Sequence, residues 1–133
     1  MSAWTVVAAV VAGGIGAGLR YIVDVLVTRA RARPGHAQRF PLGILIINVT
    51  GSLALGIVTG VGAAALGEWL TIIGLGLLGG YTTFSTVSVE TVLLAQERRV
   101  GHAIGNLLIT MALAVTAAAG GYILGAAWGG AGG

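Results

Sequence analysis

Four long apolar runs, separated by short polar interruptions, account for almost the whole chain. They predict helices over residues 4–27, 42–65, 69–95 and 103–128. A helix crosses the roughly 30 Å hydrocarbon core of a bilayer in about 20 residues, so each run is long enough to span it. No room remains for a soluble domain, and the expectation is a single all-α transmembrane domain over residues 1–133. The polar connector at residues 29–39 contains Pro34-Gly35 and is followed by Pro41, which stop one helix and restart the next. The first run lacks the basic flank of a secretory signal and is expected to be retained as a spanning helix.

The third run is irregular. Gly79-Gly80-Tyr81-Thr82-Thr83-Phe84-Ser85-Thr86-Val87-Ser88-Val89-Glu90 packs glycines and five hydroxyls besides the tyrosine into a spanning segment, and predicts a broken third helix. Unsatisfied backbone groups in hydrocarbon cost several kcal/mol each, so such a break survives only when buried in protein or lining a polar cavity. Two further polar pairs lie at helical spacing: Asn48 with Ser52, and Asn106 with Thr110. A single hydroxyl is explained by a bond to its own i−4 carbonyl, and an amide can staple two helices. Two asparagines beside a broken helix fit a file of water or ions better, since a buried amide without partners is costly.

Composition narrows the class. With 56% hydrophobic and 8% charged residues and a mean hydropathy of +0.98, the chain has too little polar surface for a water-soluble fold. Cysteine is absent, which removes disulfides and thiolate chemistry. His36 and His102 lack metal-site spacing, and no constellation supports an enzyme. All seven basic residues are arginine; Arg29, Arg31, Arg33 and Arg39 fall in the first connector, Arg98 and Arg99 in the third. The positive-inside rule therefore places connectors 29–39 and 96–101 in the cytoplasm, with the termini and the Glu68 loop outside, in a multi-pass cell-membrane protein. The pI near 10.2 follows from this topology, without a nucleic-acid partner. Glycines recur at four-residue spacing (Gly14 with Gly18, Gly56 with Gly60, Gly76 with Gly80, Gly121 with Gly125), which lets helices, or a partner chain, approach closely. Gly13-Gly14-Ile15-Gly16-Ala17-Gly18 lacks the register of a nucleotide loop, and the Asn48-Val49-Thr50 sequon lies inside an apolar run.

The chemistry of a path through these helices points to a small anion. Asp24 and Glu90 fall towards the cytoplasmic ends of their helices, leaving the centre uncharged. Neutral donors can replace an anion's hydration shell without trapping it, and the electropositive edge of Phe84 suits the same ion. A small four-helix multidrug exporter would need a carboxylate embedded in its first helix, and positions 4–19 contain none. A non-conducting assembly subunit is the other reading.

Three runs carry a resemblance: Gly13 to Tyr21, Phe40-Pro41-Leu42-Gly43 continuing through Asn48-Val49-Thr50-Gly51-Ser52, and Gly79 to Glu90. In order and spacing they resemble the Fluc (CrcB-type) fluoride channels, most specifically in the third run. The resemblance implies an antiparallel dimer with two fluoride pores and a central structural sodium ion. By position, Gly79 and Thr82 would supply sodium-binding backbone carbonyls, and Phe84 the first pore phenylalanine. Ser85, Thr86, Asn48, Asn106 and Thr110 would line the fluoride track, and Glu90 matches the motif's terminal acid, with a role in anchoring a helix end. Arg20 would make the vestibule attractive to anions; an arginine snorkelling beside Asp24 is the alternative. Val87 stands where the family has a second pore phenylalanine, and Ile44 replaces a commonly polar position. The arginine bias commits the chain to one orientation, so a companion family member of opposite topology stands beside an identical chain as the expected partner. A non-conducting or half-functional subunit of such a heterodimer is the corresponding alternative function.

Overall fold

The computed structural model describes residues 1–32 and 41–130; Arg33, Pro34, Gly35, His36, Arg39 and Phe40 lie outside the described residues. Helix α1 is Ala3–Arg31, α2 is Leu42–Val61, and a short α3 is Ala63–Leu66. The third span opens with a π-helical segment, Leu70–Leu78, continues into α4, Gly79–Tyr81, and resumes as α5, Phe84–Gln96; α6 is Val100–Gly130. No strand occurs among the described residues, and four segments are long and apolar enough to cross a membrane. The protein is an all-helical, multi-pass membrane protein.

Each element ends for a local reason. Ser2 caps α1, its hydroxyl accepting the Thr5 N–H. The helix runs past residue 27 to Arg31, and the positive charges of Arg29 and Arg31 suit the negative end of its dipole. Gly62 and Gly67, with φ of 84° and 55°, turn the chain on either side of α3. At the end of α5, Arg98 takes φ 59°, while the Arg99 N–H bonds the Leu94 carbonyl and the Arg98 N–H that of Ala95. This pairing is a Schellman turn, with an arginine at the position glycine usually holds.

Two parallel helix pairs form the body. In one, α2 and α6 interlock: Gly56 lies against the backbone of Ala118 and Tyr122, and Gly121 against that of Leu53 and Ile57. A Cβ at either position would run into backbone, which cannot move aside. In the other, α1 packs along the third span, with Gly16 against Leu77 and Tyr81 and Gly80 against Gly13. Of the four-spaced glycines only Gly14 and Gly18 meet nothing within 4 Å, so α1 makes its contact through Gly13 and Gly16 instead. Lipid gives helices no hydrophobic reason to associate, so close backbone approach of this kind supplies the packing.

The second pair, α1 with the third span, is closed at one end by a clasp. The Ser2 N–H and hydroxyl donate to the Glu68 carboxylate, each at 3.2 Å, and the Ser2 hydroxyl lies 2.6 Å from that of Thr5. Trp4, Trp69 and Trp128 lie exposed at this same end, as interfacial tryptophans do. Hydrogen bonds from the Thr5 side chain and the Ser2 backbone hold the Glu68 carboxyl below the usual carboxylate range. A depressed carboxyl contributes stability above its unfolded pKa and loses it as pH falls through its folded value. Hydrogen exchange at the amides of residues 2–6 should therefore accelerate upon acidification below the carboxylate range, beyond the intrinsic pH dependence of exchange. Glu68→Gln should remove that extra dependence, and an unchanged profile in the variant would assign it elsewhere.

Candidate functional site

The site is organised by an interruption in the third span. The Thr82 N–H still bonds the Leu78 carbonyl at 2.9 Å, but Thr82 and Thr83 are extended, with φ/ψ of −77/153° and −153/126°. The Thr83 N–H turns from the Gly79 carbonyl to the side chain of Asn48 on α2, donating to Oδ1 at 2.8 Å. Asn48 Nδ2 in turn donates to the Thr83 carbonyl at 3.0 Å. One buried amide thus stands in for both backbone partners that the interruption removes. The pairing also fixes the orientation of the amide, since the reverse would set donor against donor.

Beyond the interruption, α5 begins on a hydroxyl cluster. Thr83 caps it, its Oγ1 accepting the Thr86 N–H at 3.3 Å. The same oxygen lies 3.0 Å from Ser85 Oγ and 3.3 Å from Thr86 Oγ1. Gly51 makes room for the segment, since a Cβ there would strike Thr82 and the Tyr81 ring.

Between α2, the interruption and α6 lies a cavity of about 270 Å³. Its polar lining is Asn48, Ser52, Thr82, Thr83 and Thr110; its apolar lining is Phe84, Val87, Leu107, Met111, Ala114 and Val115. No charged side chain is among them. Thr110 differs from its peers: Thr50, Thr59, Ser88, Thr91 and Thr116 each donate to their own i−4 carbonyl. The Thr110 hydroxyl is enclosed and bonds nothing. A buried hydroxyl without a partner costs about 1 to 3 kcal/mol. Asn48 also keeps a donor, because only one of its two amide protons is taken by a described residue.

The sequence-predicted residues divide accordingly. The cavity gathers Asn48, Phe84, Thr110 and Thr82. Ser85 and Thr86 sit one step away on the first turn of α5, joined through Thr83. Asn106 lies off the cavity, 1% exposed, with Nδ2 on the Val87 carbonyl and on Thr91 Oγ1. Gly79 keeps its place at the start of α4, its carbonyl released by the turn of Thr83 towards Asn48. Arg20 is half-buried on α1, while Asp24, one turn on, sets its carboxylate into the space left by Gly43 on α2. The half-buried Glu90 has its Oε2 enclosed without a partner. Val87 and Ile44, the two departures from the family pattern, meet in one buried cluster with Ile47. Thr83, Leu107 and Met111 line the cavity without having been singled out from the sequence. Only Thr83 carried a signal, as a hydroxyl three residues before Thr86 at a helix start.

Four spans, one of them interrupted beside an uncharged cavity with Asn, Ser and Thr in its lining, define a multi-pass membrane protein. Residues 7–122 match the family model described as CrcB-like protein, Camphor Resistance (CrcB), and the chain belongs to that family. It is 47% identical over 130 residues to "Fluoride-specific ion channel FluC 1" of Leifsonia xyli subsp. xyli, covering 94% of this chain and 89% of that protein. "Fluoride-specific ion channel FluC 2" of Mycolicibacterium paratuberculosis is 36% identical over 118 residues, covering 89% of each. "Fluoride-specific ion channel FluC 1" of Nocardia farcinica is 41% identical over 112 residues, 84% of this chain and 74% of that one.

Proposed function

We propose that the chain is a subunit of a passive, fluoride-selective channel that exports fluoride from the cytoplasm, and that it is not an enzyme. The observation that carries this reading is the uncharged cavity beside the interruption, with the second amide proton of Asn48 unspent and the enclosed Thr110 hydroxyl beside it without a partner. A fixed cation there would hold an anion too tightly to release it, whereas neutral donors replace its hydration and let it go. Phe84, exposed at the cavity's edge, offers its ring edge to the same ion. Ser85 and Thr86 extend the donors along the first turn of α5, and Arg20 draws anions to the entrance.

The reading includes an antiparallel dimer, with an identical chain or a companion family member, and connectors 29–39 and 96–101 in the cytoplasm. It also includes a structural sodium ion. The residues fit one: α4 ends with carbonyls that lack their i+4 donors, and a hard cation takes oxygen ligands. Gly79 and Thr82 would hold it through backbone oxygen, and the ion would tie together the ends of two interrupted spans.

Fluoride-electrode efflux from liposomes tests the ring. Phe84→Ile should slow release by at least about tenfold, the equivalent of one lost interaction of about 1.4 kcal/mol in the barrier. Unchanged rates would remove the ring from the mechanism.

A further inference from the structure

Asn106 occupies a place that would suit a path-lining residue, one helical turn from Thr110, yet its amide bonds elsewhere and it is absent from the cavity lining. Nδ2 lies 3.3 Å from the Val87 carbonyl and 2.9 Å from Thr91 Oγ1, two acceptors that sit side by side on the same side of the amide. The Thr91 hydroxyl gives its own proton to the Val87 carbonyl at 2.7 Å, so it can only accept from Asn106, and the three groups close into one consistent set. Reversing the amide would set its oxygen against the Val87 carbonyl, which fixes the assignment. Asn106 is 1% exposed and is not among the residues that line the cavity, so its amide faces Val87 and Thr91 and not the path.

What Asn106 holds does reach the cavity. The Val87 side chain lines it and is 2% exposed, packed with Ile44 and Ile47, while its carbonyl is the point at which Asn106 ties α5 to α6. Leu107, the residue after Asn106, also lines the cavity and packs against the same cluster as Val87. We infer that Asn106 is a positioning residue that acts through Thr91 and the Val87 carbonyl to fix the wall of the cavity, and that it does not touch the ion. The inference rests on the fluoride reading for its flux readout, but the bonded set can be tested without it.

Asn106→Leu, Thr91→Val, the double variant and Thr91→Ser are compared with the wild-type chain in liposomes. Each of the first two should slow fluoride efflux by about tenfold, on the scale of one net hydrogen bond, and the double variant should be no slower than either. Thr91→Ser, which restores the hydroxyl, should return the rate to near wild type, and fluoride preference over chloride should not change in any of them. A wild-type rate in Thr91→Val beside lost flux or altered selectivity in Asn106→Leu would place Asn106 on the ion and overturn the inference, as would a wild-type rate in Asn106→Leu. Should Asn106→Leu fail to fold, the comparison of Thr91→Val with Thr91→Ser decides. A wild-type chain that releases no fluoride, alone and paired with a companion family member, would refute the channel reading instead. Thermal unfolding of the same proteins in detergent would then still show whether the shifts caused by Asn106→Leu and Thr91→Val overlap, as the bonded set requires, or add, which would contradict it.

Discussion

Asn48→Leu should abolish fluoride release and destabilise the protein together. Leucine removes the acceptor of the Thr83 N–H and the donor to the Thr83 carbonyl in a single step. Both groups belong to the buried pairing at the interruption, and each one left unsatisfied costs about 1 to 3 kcal/mol. The expected loss is about 2 to 6 kcal/mol, large against the 5 to 15 kcal/mol that typically separates folded from unfolded states. Flux should fall by at least about a hundredfold, because the same change removes a cavity donor and frees the segment that carries Phe84. Thermal melting in detergent and liposome efflux measure the two effects on the same preparation. Asn48→Asp provides the contrast: it keeps the acceptor for Thr83 but loses the donor and places a carboxylate on the path. It should block flux as fully while melting nearer the wild type.

Thr110→Val should separate function from stability in the opposite sense. The substitution is nearly the same size and removes a buried hydroxyl that bonds nothing, so the folded state loses no interaction and is relieved of an unsatisfied group. Melting should be unchanged or raised, by the equivalent of about 1 kcal/mol. Efflux should nevertheless drop by about tenfold or more, because a fluoride ion that has shed its water no longer meets that donor. Few substitutions are expected to stabilise a protein while impairing it. The combination would identify Thr110 as a group kept unsatisfied for a passing ligand, and a wild-type rate would show that the ion takes another course.

The spans were legible because composition and run length alone decide what can lie in lipid. The hydroxyl-rich stretch from Gly79 to Glu90 marked the third span as irregular. It did not reveal where the hydrogen bonding turns, because that depends on Asn48, 35 residues away, offering both an acceptor and a donor to Thr83. The π-helical winding of Leu70–Leu78 had no signal, since Leu70-Thr71-Ile72-Ile73-Gly74-Leu75-Gly76-Leu77-Leu78 reads as an ordinary apolar helix. Spacing suggested the pair Gly14 and Gly18 on α1, whereas contact falls on Gly13 and Gly16, because which stripe faces a neighbour is set by how the helices are rotated. The two asparagines looked alike in sequence. Only their surroundings distinguish them: Asn48 lines the cavity, whereas Asn106 is buried away from it against Val87 and Thr91.

The most direct measurement is passive ion release from liposomes that contain only this chain, with potassium as the balancing ion and no proton gradient. The account predicts rapid fluoride efflux, far above that of protein-free vesicles, with chloride retained. Fluoride release no faster than from empty vesicles, both from this chain alone and from vesicles in which it is paired with a companion family member, or release that requires an imposed proton gradient, would contradict it.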